Sequence, residues 1–309
     1  MTPPIVPGKN GMSTVLLSHP SGSSADVYLN GAHVTSWIPA GGREVLFMGK
    51  TATFAPGDPI RGGIPVVWPQ FANIGPLPQH GFARKTEWEL AEDDGSSEDP
   101  SSVKLVLKDD HRTREQWPYH FRTELTVTID DKSLTVALAA FNTGDELFSF
   151  TSALHTYIAV ADIRETAIRG FTGKWYLDKT QGGNETKDEA KKLVISDETD
   201  RVYLKAPKKV EVEDRGNERR IEIRAAGFKD AVVWNPWAEK VTGFIGLDPT
   251  DYMRMVCIEA AQIGSPVELK PGATWTSATT IWPDRSTGTR TRVRRTSTAS
   301  APGRSSKLW

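Results

Sequence analysis

The chain predicts an all-β fold, a large antiparallel sandwich. Three observations carry that prediction: short stretches alternating apolar and polar residues, Gly, Pro and Asp turns between them, and almost no sustained helical period. Leu125, Val127 and Ile129 alternate with polar residues. Asp130-Asp131-Lys132-Ser133 then turns the chain, and Leu134, Val136 and Leu138 alternate back, which makes a hairpin. Residues 103–107, 221–224 and 231–234 read as further short strands, and only residues 187–192 carry a weak helical pattern. No internal repeat is visible.

Two titratable residues stand on strands of this kind. In Phe148-Ser149-Phe150-Thr151-Ser152-Ala153-Leu154-His155-Thr156-Tyr157, alternation puts His155 on one face with Ser149, Thr151, Ala153 and Tyr157. Small polar neighbours leave room beside the imidazole, as the floor of a cleft would. In Tyr252-Met253-Arg254-Met255-Val256-Cys257-Ile258-Glu259-Ala260, Glu259 follows Met253, Met255 and Cys257 on one face, while Val256 and Ile258 point the other way. A carboxylate on an otherwise apolar face must find a partner or shift its pKa. A histidine and a glutamate make an acid/base pair if the fold brings them together.

Composition narrows the classes of function. With 309 residues the chain is long enough to bury a sizeable core. A net charge of −1 gives no reason to expect nucleic acid or an anionic membrane as partner. The single cysteine, Cys257, excludes an internal disulfide and fits a reducing compartment. The N-terminus lacks the apolar core of a signal peptide, and no stretch reaches the ~18 to 20 apolar residues of a membrane span. A cytoplasmic monomer is the expectation. An N-terminal arm is expected over residues 1–12, the sandwich over 13–283 and a basic tail over 284–309. That tail carries Arg285, Arg290, Arg292, Arg294 and Arg295 with few apolar residues to offset its ordering entropy. An acidic, serine-rich loop is expected over residues 93–102.

The densest unusual run is Asp58-Pro59-Ile60-Arg61-Gly62-Gly63-Ile64-Pro65-Val66-Val67-Trp68-Pro69-Gln70-Phe71, followed by Leu77-Pro78-Gln79-His80-Gly81-Phe82-Ala83-Arg84. Adjacent glycines permit positive φ and close ligand approach, and prolines stiffen the flanks. Arg61, Gln79, His80 and Arg84 thus come from two rigid loops. An arginine fork suits phosphate or carboxylate, though Arg61 and Arg84 have Asp58 and Glu87 nearby as surface partners.

These residues resemble the glucose-6-phosphate 1-epimerases, also called hexose-6-phosphate mutarotases, within the aldose 1-epimerase superfamily. The resemblance continues through Trp117-Pro118-Tyr119-His120-Phe121, Ala153-Leu154-His155-Thr156-Tyr157, Glu198-Thr199-Asp200-Arg201-Val202-Tyr203, Val233-Trp234-Asn235-Pro236-Trp237 and Cys257-Ile258-Glu259. It implies a galactose-mutarotase-like β-supersandwich with a shallow cleft and no metal or organic cofactor. His155 falls on the family's catalytic histidine and Glu259 on its catalytic glutamate. Arg61, Gln79, Arg84 and Asp200 fall on substrate-binding positions. His80, Trp234 and Trp237 are candidate supports of the cleft, whereas His19, His33, His111 and His120 have no argued role. Ala72 stands where relatives tend to carry glycine. Asp248 and Asp251 fall where relatives often show an Ala-Asp-Asp pattern, and no role is assigned to them.

A cyclic hexose changes anomer by ring opening and reclosure, so the ring oxygen must gain a proton while the C1 hydroxyl loses one. The expectation is a protonated His155 at the ring oxygen and an ionised Glu259 at the C1 hydroxyl, with the carboxylate raising the histidine pKa. The expected substrate is a hexose 6-phosphate held by Arg61 and Arg84. Alternatives are a mutarotase of free aldoses, which leaves the arginines without an anion, and a non-catalytic sugar-binding sandwich, which leaves the acid/base pair without a task. A two-carboxylate glycosidase fits the residues less well.

Overall fold

The structure, a computed structural model, describes residues 3–91 and 100–285. Most of the acidic loop expected at 93–102, and the basic tail beyond residue 285, lie outside the described residues. Every pairing between the named strands is antiparallel. The expected hairpin is Phe121–Ile129 and Leu134–Asn142, with Val127 opposite Val136 and Leu125 opposite Leu138. Its alternate residues are buried along both strands, as a one-sided sheet requires.

That hairpin belongs to an eight-stranded sheet that also holds Thr166–Arg169, Lys209–Asp214, Arg219–Ala226, Thr274–Arg285 and Ser102–Lys108. A second eight-stranded sheet runs Asn184–Lys187, Trp175–Asp178, Thr199–Tyr203, Asp230–Asn235, Met255–Leu269, Phe148–Leu154 and Val66–Val67, with Tyr157–Ala159 also paired to Met255–Leu269. A four-stranded sheet, Ile5–Pro7 through His33–Ile38, completes the body. Residues 5–7 are thus an edge strand beside Ser13–Ser18, and Thr274–Arg285 runs in register to its last residue opposite Arg219.

The long strand Met255–Leu269 explains where the site can be. Val256, Ile258 and Ala260 point into the main core, together with Ala231, Val233, Leu154 and Ile158. Met255, Cys257 and Ala261 point the other way, into a smaller cluster with Val232, Trp234, Ala153, Tyr157 and Phe71. Both faces of this central strand are packed, which leaves Glu259 only 2% exposed. Most tryptophans are core residues, as an apolar ring of that size favours. Trp68 contacts Phe121 at 4.7 Å and Trp117 at 5.1 Å between centroids.

The helices differ from the sequence expectation: His111–Gln116 and Trp237–Lys240 are short α-helices that it did not foresee. Residues 187–192 form no helix; Lys187 ends a strand and irregular chain follows. Asp188 is the reason. Its buried carboxylate accepts from the Tyr203 hydroxyl at 2.7 Å and from the Ala190 N–H at 3.2 Å, and those bonds compete with a helical backbone.

Asn235 closes the site-bearing end of two strands. It is fully buried; its amide donates to the carbonyls of Tyr252 at 2.8 Å and Met255 at 2.9 Å, and its oxygen accepts from Trp237 N–H. Asn235→Ala orphans these backbone groups and is expected to cost about 2 to 4 kcal/mol in urea denaturation. A midpoint unchanged from wild type contradicts this.

Candidate active site

His155 follows the strand Phe148–Leu154, where its N–H donates to the Pro65 carbonyl at 3.0 Å. Its imidazole stacks on Tyr157 at 4.8 Å and 15°, and meets the edges of Trp234 at 5.9 Å and His80 at 5.7 Å. Glu259, opposite Val232 in the sheet, brings Oε1 to 3.3 Å from His155 Nε2. The two side chains are 10% and 2% exposed, so the contact is nearly dry. His155 Nδ1 and Glu259 Oε2 make no hydrogen bond among the described residues. Each therefore retains a buried polar atom without a hydrogen-bond partner among the described residues.

Burial decides the protonation of this pair. Desolvation pushes the Glu259 carboxyl well above the usual carboxylate range, with Asp200 adding to the push and Arg84 opposing it. Desolvation likewise drives His155 well below the usual imidazole range, helped by the charges of His80, Arg61 and Arg84. The 3.3 Å contact alone favours an ion pair, and so opposes both trends. At this depth burial prevails, because each charge loses its water while gaining one partner. This corrects the expectation that the carboxylate raises His155. In the free protein the pair leans toward a neutral imidazole beside a protonated carboxyl.

The arginine-bearing loops surround the pair. Arg61 NH1 lies 3.4 Å from the Tyr157 hydroxyl, its Nε donates to the Ile245 carbonyl at 3.2 Å, and its guanidinium sits 5.3 Å from the Phe244 ring centre. Burial and the charge of Arg61 lower Arg84 to about 10, which leaves it a cation at neutral pH. Arg84 donates to the Gln79 carbonyl at 2.8 Å. Among the described residues neither arginine makes an ion pair, so the Asp58 and Glu87 partners do not materialise. Two guanidinium groups thus lie beside the buried pair without an ion-pair partner among the described residues.

The glycines of this loop do something other than admit a ligand. Gly62 and Gly63 have φ of +115° and +59°. A Cβ on Gly62 would meet the Phe47 carbonyl at 2.5 Å, and one on Gly63 the Val34 carbonyl at 2.2 Å. They let the arginine loop lie against the strand backbone beneath it. Ala72 has φ of +50°. It fixes His80 from both sides: Ala72 N–H donates to His80 Nδ1 at 3.2 Å, and His80 N–H donates to the Ala72 carbonyl at 2.9 Å. His80 is therefore the Nε2–H tautomer, and burial, with Arg84 and Arg61, lowers it to about 3.

The remaining candidates divide. Asp200, opposite Trp234, lies near enough for its charge to act on Glu259, and burial raises its own pKa against the pull of Lys179 and Lys240. Trp234 touches His155 and Tyr157. Trp237 turns aside, its ring 5.2 Å from Tyr252. Gln79 is exposed, and its carbonyl is the group that meets Arg84. Sequence reading missed Tyr157 as a link between Arg61 and His155, although strand alternation had placed it beside the histidine. It also missed the Phe244 and Ile245 contacts, 184 residues from Arg61 in the latter case, for which no sequence signal exists.

A buried imidazole and carboxyl in contact on one sheet, ringed by hydrogen-bonding groups, have the make-up of an acid/base site. The chain belongs to the aldose 1-epimerase family, whose model matches residues 13–282, and it is an isomerase of that family. A protein of Cenchrus ciliaris is 35% identical over 278 residues, covering 88% of this chain and 84% of its own length. One of Escherichia coli K12 is 33% identical over 260 residues, covering 81% and 83%. Both carry the name "Putative glucose-6-phosphate 1-epimerase". The crystal structure of a Salmonella typhimurium protein described as a "putative mutarotase" matches with a TM-score of 0.80 at 28% identity, covering 92% of this chain and 97% of that one. No helix among the described residues is long and apolar enough to cross a membrane.

His33 supports the arginine loop from below, its Nε2 donating to the Gly62 carbonyl at 2.8 Å. Burial lowers it from 6.5 to about 4. The unfolded chain therefore binds a proton below pH 6.5 that the folded protein refuses until about pH 4. This histidine's share of stability is complete above 6.5 and is lost as pH falls toward 4. The melting temperature is expected to drop more steeply with acidification across that window in wild type than in His33→Gln. Parallel slopes contradict the assignment.

Proposed function

We propose that this protein interconverts the α and β anomers of hexose 6-phosphates, chiefly glucose 6-phosphate, with His155 and Glu259 as the acid/base pair. The observation that carries the reading is the 3.3 Å His155–Glu259 contact, buried beside two arginines that make no ion pair among the described residues. The names of the relatives support it as well.

The chemistry follows from one shared proton. Opening the pyranose requires a proton delivered to the ring oxygen and one withdrawn from the C1 hydroxyl. In the proposed mechanism His155 serves the ring oxygen and Glu259 the C1 hydroxyl; the open aldehyde rotates about C1–C2, and the two groups exchange roles on closure. The free protein leans toward the wrong tautomeric distribution for this, with the proton on Glu259. A phosphate dianion against Arg61 and Arg84 would offset the cations that depress His155 and so favour imidazolium beside carboxylate. Substrate charge would thereby arm the acid.

The same layout supports a phosphate on C6 in this reading. A phosphate on O1 would replace the hydroxyl that must lose its proton. C6 is attached to C5, the atom next to the ring oxygen, so a 6-phosphate lies on the ring-oxygen side of the sugar. His155 is the group that Tyr157 joins to Arg61. Asp200 is proposed to accept from a sugar hydroxyl, with Gln79 and His80 completing the rim and Trp234 backing the imidazole; Trp237 supports the loop behind.

Polarimetry or a coupled assay on α-glucose 6-phosphate, α-glucose and α-galactose tests the whole reading. Equal turnover of all three would remove the phosphate from it, and no turnover of any would remove the epimerase activity. Glu259→Gln keeps the volume but cannot accept the C1 proton, so turnover is expected to fall by about two to four powers of ten. His155→Asn is expected to lose comparably, and the double variant far less than the product of the two, because both serve one transition state. Either single variant within threefold of wild type would remove that residue from the pair.

Arg61→Ala and Arg84→Ala are expected to lower kcat/KM for glucose 6-phosphate by about 10- to 100-fold each, with little change for glucose, since only the former presents a dianion. Lysine at either position restores charge without the two-pronged geometry and should rescue in part. Equal losses on both sugars would assign the arginines to structure.

A further inference from the structure

Arg61 is held by a segment distant in sequence. Besides the Ile245 carbonyl and the Phe244 ring, Gly246 lies against its stem: a Cβ there would come within 2.8 Å of Arg61 Cβ. Phe244 and Leu247 pack on the outer cluster, but Ile245 between them is 84% exposed. Apolar burial alone therefore does not set how the segment lies along Arg61.

Asp251 does. It is fully buried, and its Oδ2 accepts from the Asp248 N–H at 2.8 Å and from the Lys50 N–H at 3.0 Å. The first bond ends the 244–248 segment; the second ties it to the loop containing Gly49. The Lys50 ammonium covers the junction from solvent, 2.9 Å from Thr250 Oγ1 and 3.8 Å from the carboxylates of Asp248 and Asp251. Gly49 N–H in turn donates to the Arg61 carbonyl at 3.1 Å, and a Cβ on Gly49 would collide with the Gly246 carbonyl at 2.0 Å. One carboxylate thus closes a ring of contacts that grips Arg61 by backbone and by side chain.

We propose that Asp251 is a positioning residue for anion selectivity, holding the 244–248 segment so that the Arg61 guanidinium is aimed before substrate arrives. The inference rests on the reading of Arg61 as a phosphate ligand. It assigns a role to a buried carboxylate that the acid/base chemistry does not use. A pre-aimed guanidinium loses little freedom on binding, whereas a released one must be ordered by the ligand itself.

Asp251→Asn keeps volume and weakens both acceptor bonds. KM for glucose 6-phosphate is expected to rise about 10-fold with kcat within about threefold, and kcat/KM for glucose to stay within about twofold. In an Arg61→Ala background the same substitution should add less than about twofold, because both act on one contact. Inorganic phosphate should protect the Asp251→Asn protein against heat less than wild type, a readout independent of turnover. Should Asp251→Asn fail to fold, Lys50→Met, at a side chain 58% exposed, is expected to give a smaller selective loss of the same sign. Equal losses on both sugars, or losses that multiply with Arg61→Ala, overturn the inference and leave the phosphate reading standing. An Arg61→Ala enzyme without selective loss overturns both.

Discussion

A carboxyl group on the covered face of a central strand has three options: pair, protonate, or find a ligand. Glu259 is in that position because Met255–Leu269 lies inside an eight-stranded sheet, with the main core on one face and a second apolar cluster on the other. Among the described residues its ion-pair partner is His155, itself buried, so two groups that prefer water must share a dry site. The layout of the cleft follows from that constraint. Burial raises the proton affinity of the carboxyl and lowers that of the imidazole, so the proton of the pair leans toward Glu259.

The surroundings of the pair are arranged by backbone rather than by apolar packing. Gly62 and Gly63 bring the arginine loop down onto Phe47 and Val34, and His33 holds the Gly62 carbonyl from below. Ala72 takes a left-handed conformation that glycine would adopt without penalty, and in doing so locks His80 in one tautomer. Such a residue costs about 1 to 2 kcal/mol, a strain retained when the surrounding contacts over-determine it. Among the described residues Arg61 meets the pair through the Tyr157 hydroxyl and ring, and its charge also acts on His155. The charge of Arg61 and the protonation of His155 are thus neighbours across one aromatic ring, and the one bears electrostatically on the other.

Much of this was legible beforehand, for identifiable reasons. Two-residue periodicity is a local property, and it placed the hairpin of Phe121–Ile129 and Leu134–Asn142 and separated Val256 and Ile258 from Cys257 and Glu259. The helical pattern near Asp188 misled because the competing partner, Tyr203, is remote from it in the chain. Trp234 and Trp237 looked equivalent around Asn235-Pro236, yet the turn that Asn235 caps sends Trp237 to Tyr252 and leaves Trp234 at the imidazole.

Residue types and their alternation were enough to single out His155, Glu259, Arg61 and Arg84 as candidates, since those depend on chemistry that each residue carries with it, and the resemblance implied a role for each. Distance and dryness were not available to that reading. The 3.3 Å contact, the reversal of the expected His155 shift, and the hold of Ile245 and Asp251 on Arg61 all come from segments joined only by folding. Protonation is set by the solvent a group loses and by the charges that face it, and both are properties of the assembled sheet rather than of any stretch of chain.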